Sequence, residues 1–438
     1  MIKQVHWKKR LAVALTSGFL VFNTVIVLAA PVELSLDESI TMALNSNPAI
    51  KMSDAERKSA EFAIREAKGG KGPSFTYQHV DERYRSYSTS AKTYGLPYTT
   101  NYFTNTGTLS MNLYTGGKTE SAIETAKLNL KVADLSVEES KQQIKLDTTN
   151  AYFTILQTKN TVKVDQETVD QMVVHLKNVQ NQFAVGTVAK TDVLASQVEL
   201  ANDQQALTKA QNAYEVAVAN FNNIVGLPLQ TEIKVKNELT HEKYDLSLED
   251  SISYALEHRP EAIQADYNVQ IAQEAVKSSK SGKKPTITAS AVKGWNDTEF
   301  PGVDKSTWSI GLTSTWTPFD SGVTNAKIKQ SDSAVVKATE QARQTKDSIQ
   351  LAVRQAYLNM IEAEKRIDTS QVTVEQAEEN LKIAEVRYSA GVGTNTEVID
   401  AQVSLTTAKT NYIQAMYDFN TYKATLIKAM GVAVDGKL

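Results

Sequence analysis

The chain repeats itself. Leu34-Ser-Leu-Asp-Glu-Ser-Ile-Thr-Met-Ala-Leu44 returns as Leu246-Ser-Leu-Glu-Asp-Ser-Ile-Ser-Tyr-Ala-Leu256, an offset of 212 residues that also carries Pro48 onto Pro260 and Pro73 onto Pro285. Further on the offset is 205: Gly117 falls on Gly322, Ala151-Tyr152 on Ala356-Tyr357, Gly186 on Gly391 and Gly226 on Gly431. Seven residues are therefore lost in one place, between Pro285 and Gly322. Two copies of one structural unit occupy residues 31–226 and 246–438, joined by a linker at 227–245.

Each copy reads alike. A short helix opens on Ser35 with Glu38 three residues later, the pattern of a capping box, and ends near Asn47-Pro48; Ser247 opens its twin. A second helix of about 20 residues starts at the proline. Two strands follow, about 74–84 and 106–115 in the first copy and 285–295 and 306–317 in the second. Leu109, Met111 and Leu113 alternate with polar residues, as do Trp308, Ile310, Leu312 and Trp316. Each strand is about ten residues, the length of a membrane-crossing strand. Then residues 118–183 and 323–388 contain neither Pro nor Gly. As helices they reach about 95–100 Å. A glycine turn and a return helix complete hairpins over 118–226 and 323–431. The second return helix carries Val398, Ala401, Leu405, Ala408, Tyr412, Ala415, Phe419, Tyr422 and Leu426 at alternating steps of three and four, a heptad seam. The first keeps the seam except at Ser196 and Asp203. The expected fold class is mainly α with a small β part.

Composition excludes most chemistry. The 438 residues include no Cys and five scattered His, so thiolate sites and His-based metal sites have no basis. The net charge of −3 shows no basic footprint for nucleic acid. Thr115-Gly-Gly-Lys118-Thr119 resembles a phosphate loop, but Asn112 stands where the first glycine belongs. No hydrolase or zinc-protease motif occurs, so neither an enzyme nor a cofactor is expected. Residues 1–30 read as a signal peptide: Lys3, Lys8, Lys9 and Arg10, an apolar run from Leu11 to Leu28, then Ala29-Ala30. A single membrane anchor is the alternative for that run. No later segment is apolar over 18 residues, so any membrane entry is as a barrel.

Four strands cannot close a barrel, and an open sheet in lipid leaves two edges unsatisfied. Either the strands are not in a membrane, or several chains share one barrel: eight strands from two chains, or twelve from three, the latter wide enough for an aqueous lumen. With the doubled openings and the turns Gly186-Thr-Val-Ala-Lys-Thr-Asp192-Val and Gly391-Val-Gly-Thr-Asn-Thr-Glu397-Val, the chain resembles the outer-membrane efflux family, the TolC-like channel-tunnels, over about residues 34–434. The resemblance implies a homotrimer with a shared twelve-stranded barrel in outer-membrane lipid, a periplasmic α-helical barrel, and an equatorial belt holding residues 227–245. It implies an exit channel for drugs or exported polypeptides, working with a periplasmic adaptor protein and an inner-membrane transporter. Two other classes are weighed against it. A periplasmic adaptor has one hairpin flanked by Gly-rich β domains. A secreted coiled-coil protein lacks matched strand pairs.

The candidate sites follow. Glu397 and Asp400 lie one turn apart at the start of the last helix, where a Thr394-x-x-Glu397 capping box alone accounts for an acid. They also head a polar stripe through Ser404, Thr407, Asn411, Gln414 and Asp418. By resemblance they ring the periplasmic gate. The family ties its closed tip with a tyrosine, an arginine and a first-repeat aspartate; Tyr388 and Asp192 match, and Gly393 replaces the arginine. Val185, Gly186 and Thr187, with Ala390, Gly391, Val392 and Gly393, form hairpin tips that by resemblance meet the adaptor. A loop at 85–105, with Tyr87, Tyr94, Tyr98, Tyr102 and Phe103, is expected at a barrel end as an interfacial girdle or surface loop.

Overall fold

The computed structural model describes residues 32–85, 99–242 and 244–435. In chain order the elements are β1 (Val32–Leu34), α1 (Leu36–Ser46), α2 (Pro48–Gly69), β2 (Ser74–Arg85), β3 (Thr99–Tyr114), α3 (Lys118–Ala184), α4 (Lys190–Val225) and β4 (Ile233–Val235). The second half repeats them as α5 (Leu248–His258), α6 (Pro260–Lys280), β5 (Thr286–Asp297), β6 (Lys305–Thr315), α7 (Val323–Ser389) and α8 (Asn395–Ala429). The signal segment, and Tyr87, Tyr94 and Tyr98, lie outside the described residues.

Local chemistry sets the short helices. Ser35 Oγ accepts from Glu38 N, and the Glu38 carboxylate accepts from Ser35 N, so the capping box closes. Ser247 accepts from Asp250 N in the twin. Pro48 and Pro260 stand at the first turn of α2 and α6. α3 and α7 each run 67 residues, about 100 Å. Each long helix is flanked by two shorter ones. α2 and α4 pack on α3, and α6 and α8 pack on α7.

The shorter helices meet end to end at built junctions. In the first copy Ser46 Oγ donates to Val225 O (2.8 Å) and Asn47 Nδ2 to Ile224 O (3.3 Å). In the second Arg259 Nη1 donates to Ala429 O (3.1 Å). Gly431, at φ +72°, lies so close to Arg259 that a Cβ would meet its Cα at 2.4 Å. Glycine is obligatory there for both space and conformation.

Apolar seams hold each hairpin. Along α8, Val398, Ala401, Leu405, Ala408, Ala415, Phe419 and Leu426 are all buried, with Tyr412 and Tyr422 partly so. At the waist β1 and β4 pair in parallel, Val32 opposite Ile233 and Leu34 opposite Val235. Buried Tyr152 on α3 donates its O–H to Leu34 O (3.1 Å) and accepts from Asn237 N (3.2 Å), tying helix, strand and linker together.

The other four strands form one antiparallel sheet in the order β2-β3-β5-β6. Phe75, Leu109, Ala291 and Ile310 share one row and face; Thr76, Thr108, Val292 and Ser309 share the next row on the opposite face. The apolar face is open: Phe75, Trp308, Ile310 and Leu312 are all exposed. Sequence places the second strand at 106–115, but β3 begins at Thr99, so Tyr102 and Phe103 belong to a strand and not to a loop. In the segment 99–105 Tyr102 and Phe103 fall on opposite faces among Thr and Asn, so it shows no period-two signal. Its pairing with β2, from Arg85 opposite Thr99 onward, fixes its conformation.

The two seam exceptions differ. Ser196 is fully buried and hydrogen-bonded. Asp203 is half-buried with Oδ2 unpartnered. Burial first, then Glu199 and Asp165, pushes its carboxyl up to about 6. A carboxyl raised in the fold stabilises it below the unfolded value near 4, and that stability is lost as pH rises through about 6. Thermal unfolding followed by helix ellipticity is therefore expected to show a component, at most about 3 kcal/mol per chain, that falls between pH 4 and 6. Asp203→Leu abolishes that component and raises the neutral-pH midpoint. An unchanged pH profile in Asp203→Leu would show that Asp203 titrates normally.

Candidate functional site: the hairpin tips

Both hairpins turn at the end far from the sheet, and glycine makes each turn. Gly186 and Gly391 have φ of +78° and +75°. Thr187 N donates to Gln182 O (3.0 Å), and Val392 N donates to Arg387 O (3.0 Å), so the last helical carbonyls are satisfied. Val185 and Val392 project at the two apices, 76% and 70% exposed. Gly186, Thr187, Ala390 and Gly391 are exposed beside them, and Gly393 is half-buried.

Glu397 and Asp400 are exposed, one turn apart on one face of α8. Glu397 closes the capping box with Thr394: its N donates to Thr394 Oγ1 (3.2 Å), and its carboxylate accepts from Thr394 N (3.3 Å). The polar stripe divides. Ser404, Thr407 and Asn411 are exposed with the two acids. Gln414 and Asp418 are tied to neighbours, Gln414 accepting from Gln157 Nε2 (2.8 Å) and Asp418 paired with Arg366 (2.8 Å).

Tyr388 is buried among Val179, Leu381, Ala384, Val398 and Leu405, and its hydroxyl has no hydrogen-bond partner. Burial and then the Asp192 carboxylate push its ionisation up. Tyr388 and Asp192 therefore share one neighbourhood without a bond between them. A Cβ at Gly393 would meet Arg387 Cβ and Tyr388 N at 3.0 Å, so a long side chain there must displace the turn. The nearby guanidinium is Arg387, with Nη2 3.9 Å from Glu397 Oε2 and 3.4 Å from Val392 O.

One residue that sequence reasoning passed over ties the hairpins together. Asn395, the first residue of α8, is 4% exposed. Its Nδ2 donates to Asp192 O on α4 (3.1 Å). Its Oδ1 accepts from Ser196 Oγ (3.2 Å) and faces His175 Nε2 on α3 (2.7 Å). The carbonyl of Asp192 fixes the amide orientation, so His175 carries its proton on Nε2. Lower down, α3 and α8 touch through Thr168 and Thr406 (2.8 Å) and through Thr154 and Tyr417 (3.3 Å). Ser196 was visible in sequence as a break in the seam. Asn395 sits inside a capping box, where it reads as an ordinary turn residue.

With this geometry in hand, comparison with known proteins is decisive. The family model for outer membrane efflux proteins matches residues 39–227 and 251–432. The chain belongs to the outer membrane efflux protein family. The outer membrane protein TolC of Escherichia coli is 24% identical over 411 residues, 88% of this chain and 80% of TolC. The outer membrane efflux protein BepC of Brucella suis is 21% identical over 95% of this chain and 89% of its own length. Among solved structures, the outer membrane protein VceC of Vibrio cholerae superposes with a TM-score of 0.78 at 19% identity, covering 90% of this chain and 96% of VceC. The CmeC channel of Campylobacter jejuni gives 0.79 at 17%, covering 90% and 85%. This efflux protein is thus an outer-membrane exit channel of the efflux or type I secretion kind, extending into the periplasm.

Truncating Asn395 leaves Ser196, His175 and the Asp192 carbonyl without their partner, at a cost of about 1–3 kcal/mol where they stay dry. In Asn395→Ala, amide hydrogen exchange over residues 390–400 is expected to quicken about tenfold or more while the waist around Tyr152 keeps its protection. Unchanged exchange at the tip would show that Asn395 does not hold the hairpins together.

Proposed function

We propose that three copies close the sheet into one twelve-stranded barrel and join their six hairpins into a periplasmic tube. The supporting observation is the open sheet: among the described residues β2 and β6 are unpaired edges, and the sheet exposes its apolar face. In this reading residues 1–30 are a removed signal, 31–226 and 246–438 are the two structural repeats, and 227–245 form the equatorial linker. The exposed Val185 and Val392, with the glycine turns beside them, form the surface that a periplasmic adaptor grips. An inner-membrane transporter supplies the cargo. The Alkaline protease secretion protein AprF of Pseudomonas aeruginosa, 24% identical over 59% of this chain and 55% of its own length, supports polypeptide cargo alongside small efflux substrates.

The tip is the gate in this proposal. Glu397 and Asp400 from three chains bring six carboxylates around one narrow opening, with Asp192 and Tyr388 behind them. Such a ring draws cations and repels anions. In planar bilayers the purified channel is expected to pass cations preferentially and to be blocked by trivalent cations added from the periplasmic side. Glu397→Gln with Asp400→Asn removes the block and lowers the selectivity, while trimers still form, since Gln serves in a capping box. If the double variant keeps full block, the two acids only start a helix.

The barrel carries its own test. Leu312 lies on the apolar face and Thr313 on the opposite face. Leu312→Arg puts charge against lipid, costing up to roughly 2–4 kcal/mol near the midplane, whereas Thr313→Arg faces water. Trimer yield in membranes is expected to fall for the first and hold for the second. The reverse order would mean that the two faces are exchanged.

A further inference from the structure

The connection between β5 and β6 lies flat against the outer side of the sheet. Asn105 on β3 is 6% exposed, although it belongs to the row face that carries Phe75, Leu109 and Ile310. The loop covers it. Asn105 Nδ2 donates to Pro301 O (2.8 Å) and Gly302 O (3.1 Å). Those two carbonyls fix its amide, so Oδ1 is the acceptor for Tyr77 O–H (2.6 Å) and His79 Nδ1–H (2.7 Å). His79 Nε2 in turn meets Asp81 (2.8 Å). Gly302, at φ +78°, approaches so closely that a Cβ would meet Phe103 O at 2.5 Å. Phe300 packs edge-on against His79 and Phe103, with ring centres 6.2 and 5.7 Å away. Its outer surface stays free: Phe300 is 72% exposed and Val303 53%.

The height of this loop on the barrel follows from the register. A strand tilted 35–45° climbs about 2.5 Å per residue, so an apolar band about 25 Å tall takes about ten residues. Trp316, near the helical end, marks the lower edge. Ten residues on is Ser306, in the row of His79, Asn105 and Trp295. One row below stand Tyr77, Gly107, Lys293 and Trp308, with Lys293 Nζ over the Trp295 ring at 5.5 Å. β2, β5 and β6 thus carry aromatic residues at the upper edge. β3 has only Gly107 and Asn105 in those two rows, and Phe300 lies over it.

Resting on the barrel reading, we infer that the β5–β6 loop is a lipid-contacting anchor: Phe300 and Val303 are seated in the outer leaflet at the boundary of head groups and acyl chains. The loop lays Phe300 over the two rows where β3 has only Gly107 and Asn105, and it covers the Asn105 amide to which Tyr77 and His79 are bonded. Continuity with the apolar band selects lipid as the occupant. Aromatic rings favour that depth, and an unshielded polar cluster on this face is costly.

The chain has no cysteine, so single nitroxide labels report depth directly in trimers reconstituted into phospholipid–lipopolysaccharide vesicles. Labels go at Phe300→Cys, at Ile310→Cys within the band, and at Val185→Cys on a tip. The label at position 300 is expected to collide with oxygen more than with a water-soluble nickel chelate, with a ratio between those at 310 and 185. A ratio equal to that of the tip, with 310 lipid-like, overturns the anchor and leaves the barrel standing. A label shielded from both reagents means protein cover and also overturns it. A water-like label at 310 overturns the barrel reading and the anchor with it. In a Val303→Cys background, Asn105→Ala is expected to shift that label toward water while 310 is unchanged. No shift there overturns Asn105 as the fastening.

Discussion

An unpaired strand edge cannot rest in lipid, and the rest of this molecule is arranged around that fact. One chain supplies β2-β3-β5-β6 with β2 and β6 open. Each backbone group left open at those edges costs on the order of several kcal/mol in hydrocarbon. In the proposed barrel these edges meet copies of each other. The duplication makes this possible, since two similar hairpins placed side by side give a four-stranded segment of uniform pitch. The glycines at the sheet–helix boundary serve the same end. Gly117 and Gly322, at φ +100° and +86°, turn each strand directly into a 67-residue helix.

Below the sheet, two kinds of seam divide the labour. Within the second hairpin the contact is apolar and continuous from Val398 to Leu426. Between the hairpins, where α3 faces α8, neutral polar pairs recur: His175 with Asn395, Thr168 with Thr406, Gln157 with Gln414, Thr154 with Tyr417. Beside them stand buried Val179, clustered with Tyr388, Val398 and Leu405, and the Lys409–Glu167 pair (3.6 Å). An apolar seam loses its stabilisation once it is parted. A neutral hydrogen bond exchanged for water changes free energy by only about 0.5–1.5 kcal/mol. In the gate proposed above, the polar part of this junction is where the second hairpin shifts against the first.

The sequence was most legible where periodicity speaks. Long runs free of Pro and Gly end where the glycine turns begin, and the heptad seam of α8 is buried where its spacing places it. The start of β3 was not legible, because Asn101, Phe103 and Asn105 alternate with Thr100, Tyr102 and Thr104. Neither set is cleanly apolar, so only the partner strand reveals the extended backbone. The tip junction was hidden for another reason. Asn395 meets His175 and Ser196 across about 200 residues of chain through single side-chain bonds, which leave no period to detect. At position 393, where the resemblance places an arginine in related tips, a side chain would crowd Arg387 Cβ and Tyr388 N at 3.0 Å. Arg387, six residues earlier on the preceding helix, lies close to Glu397.

The two repeats have diverged in complementary ways. The second hairpin carries the unbroken apolar seam and both exposed acids, Glu397 and Asp400. The first has Ala195 where Asp400 falls, and it interrupts its seam with Ser196 and Asp203. Ser196 is not a defect, because its hydroxyl is spent on Asn395 and so couples the hairpins. Asp203 is different. Its buried oxygen has no partner among the described residues. In the proposed gate, the continuous seam of the second hairpin holds Glu397 and Asp400 on one rigid helix pair, and the broken seam of the first lies where no such acid pair has to be held.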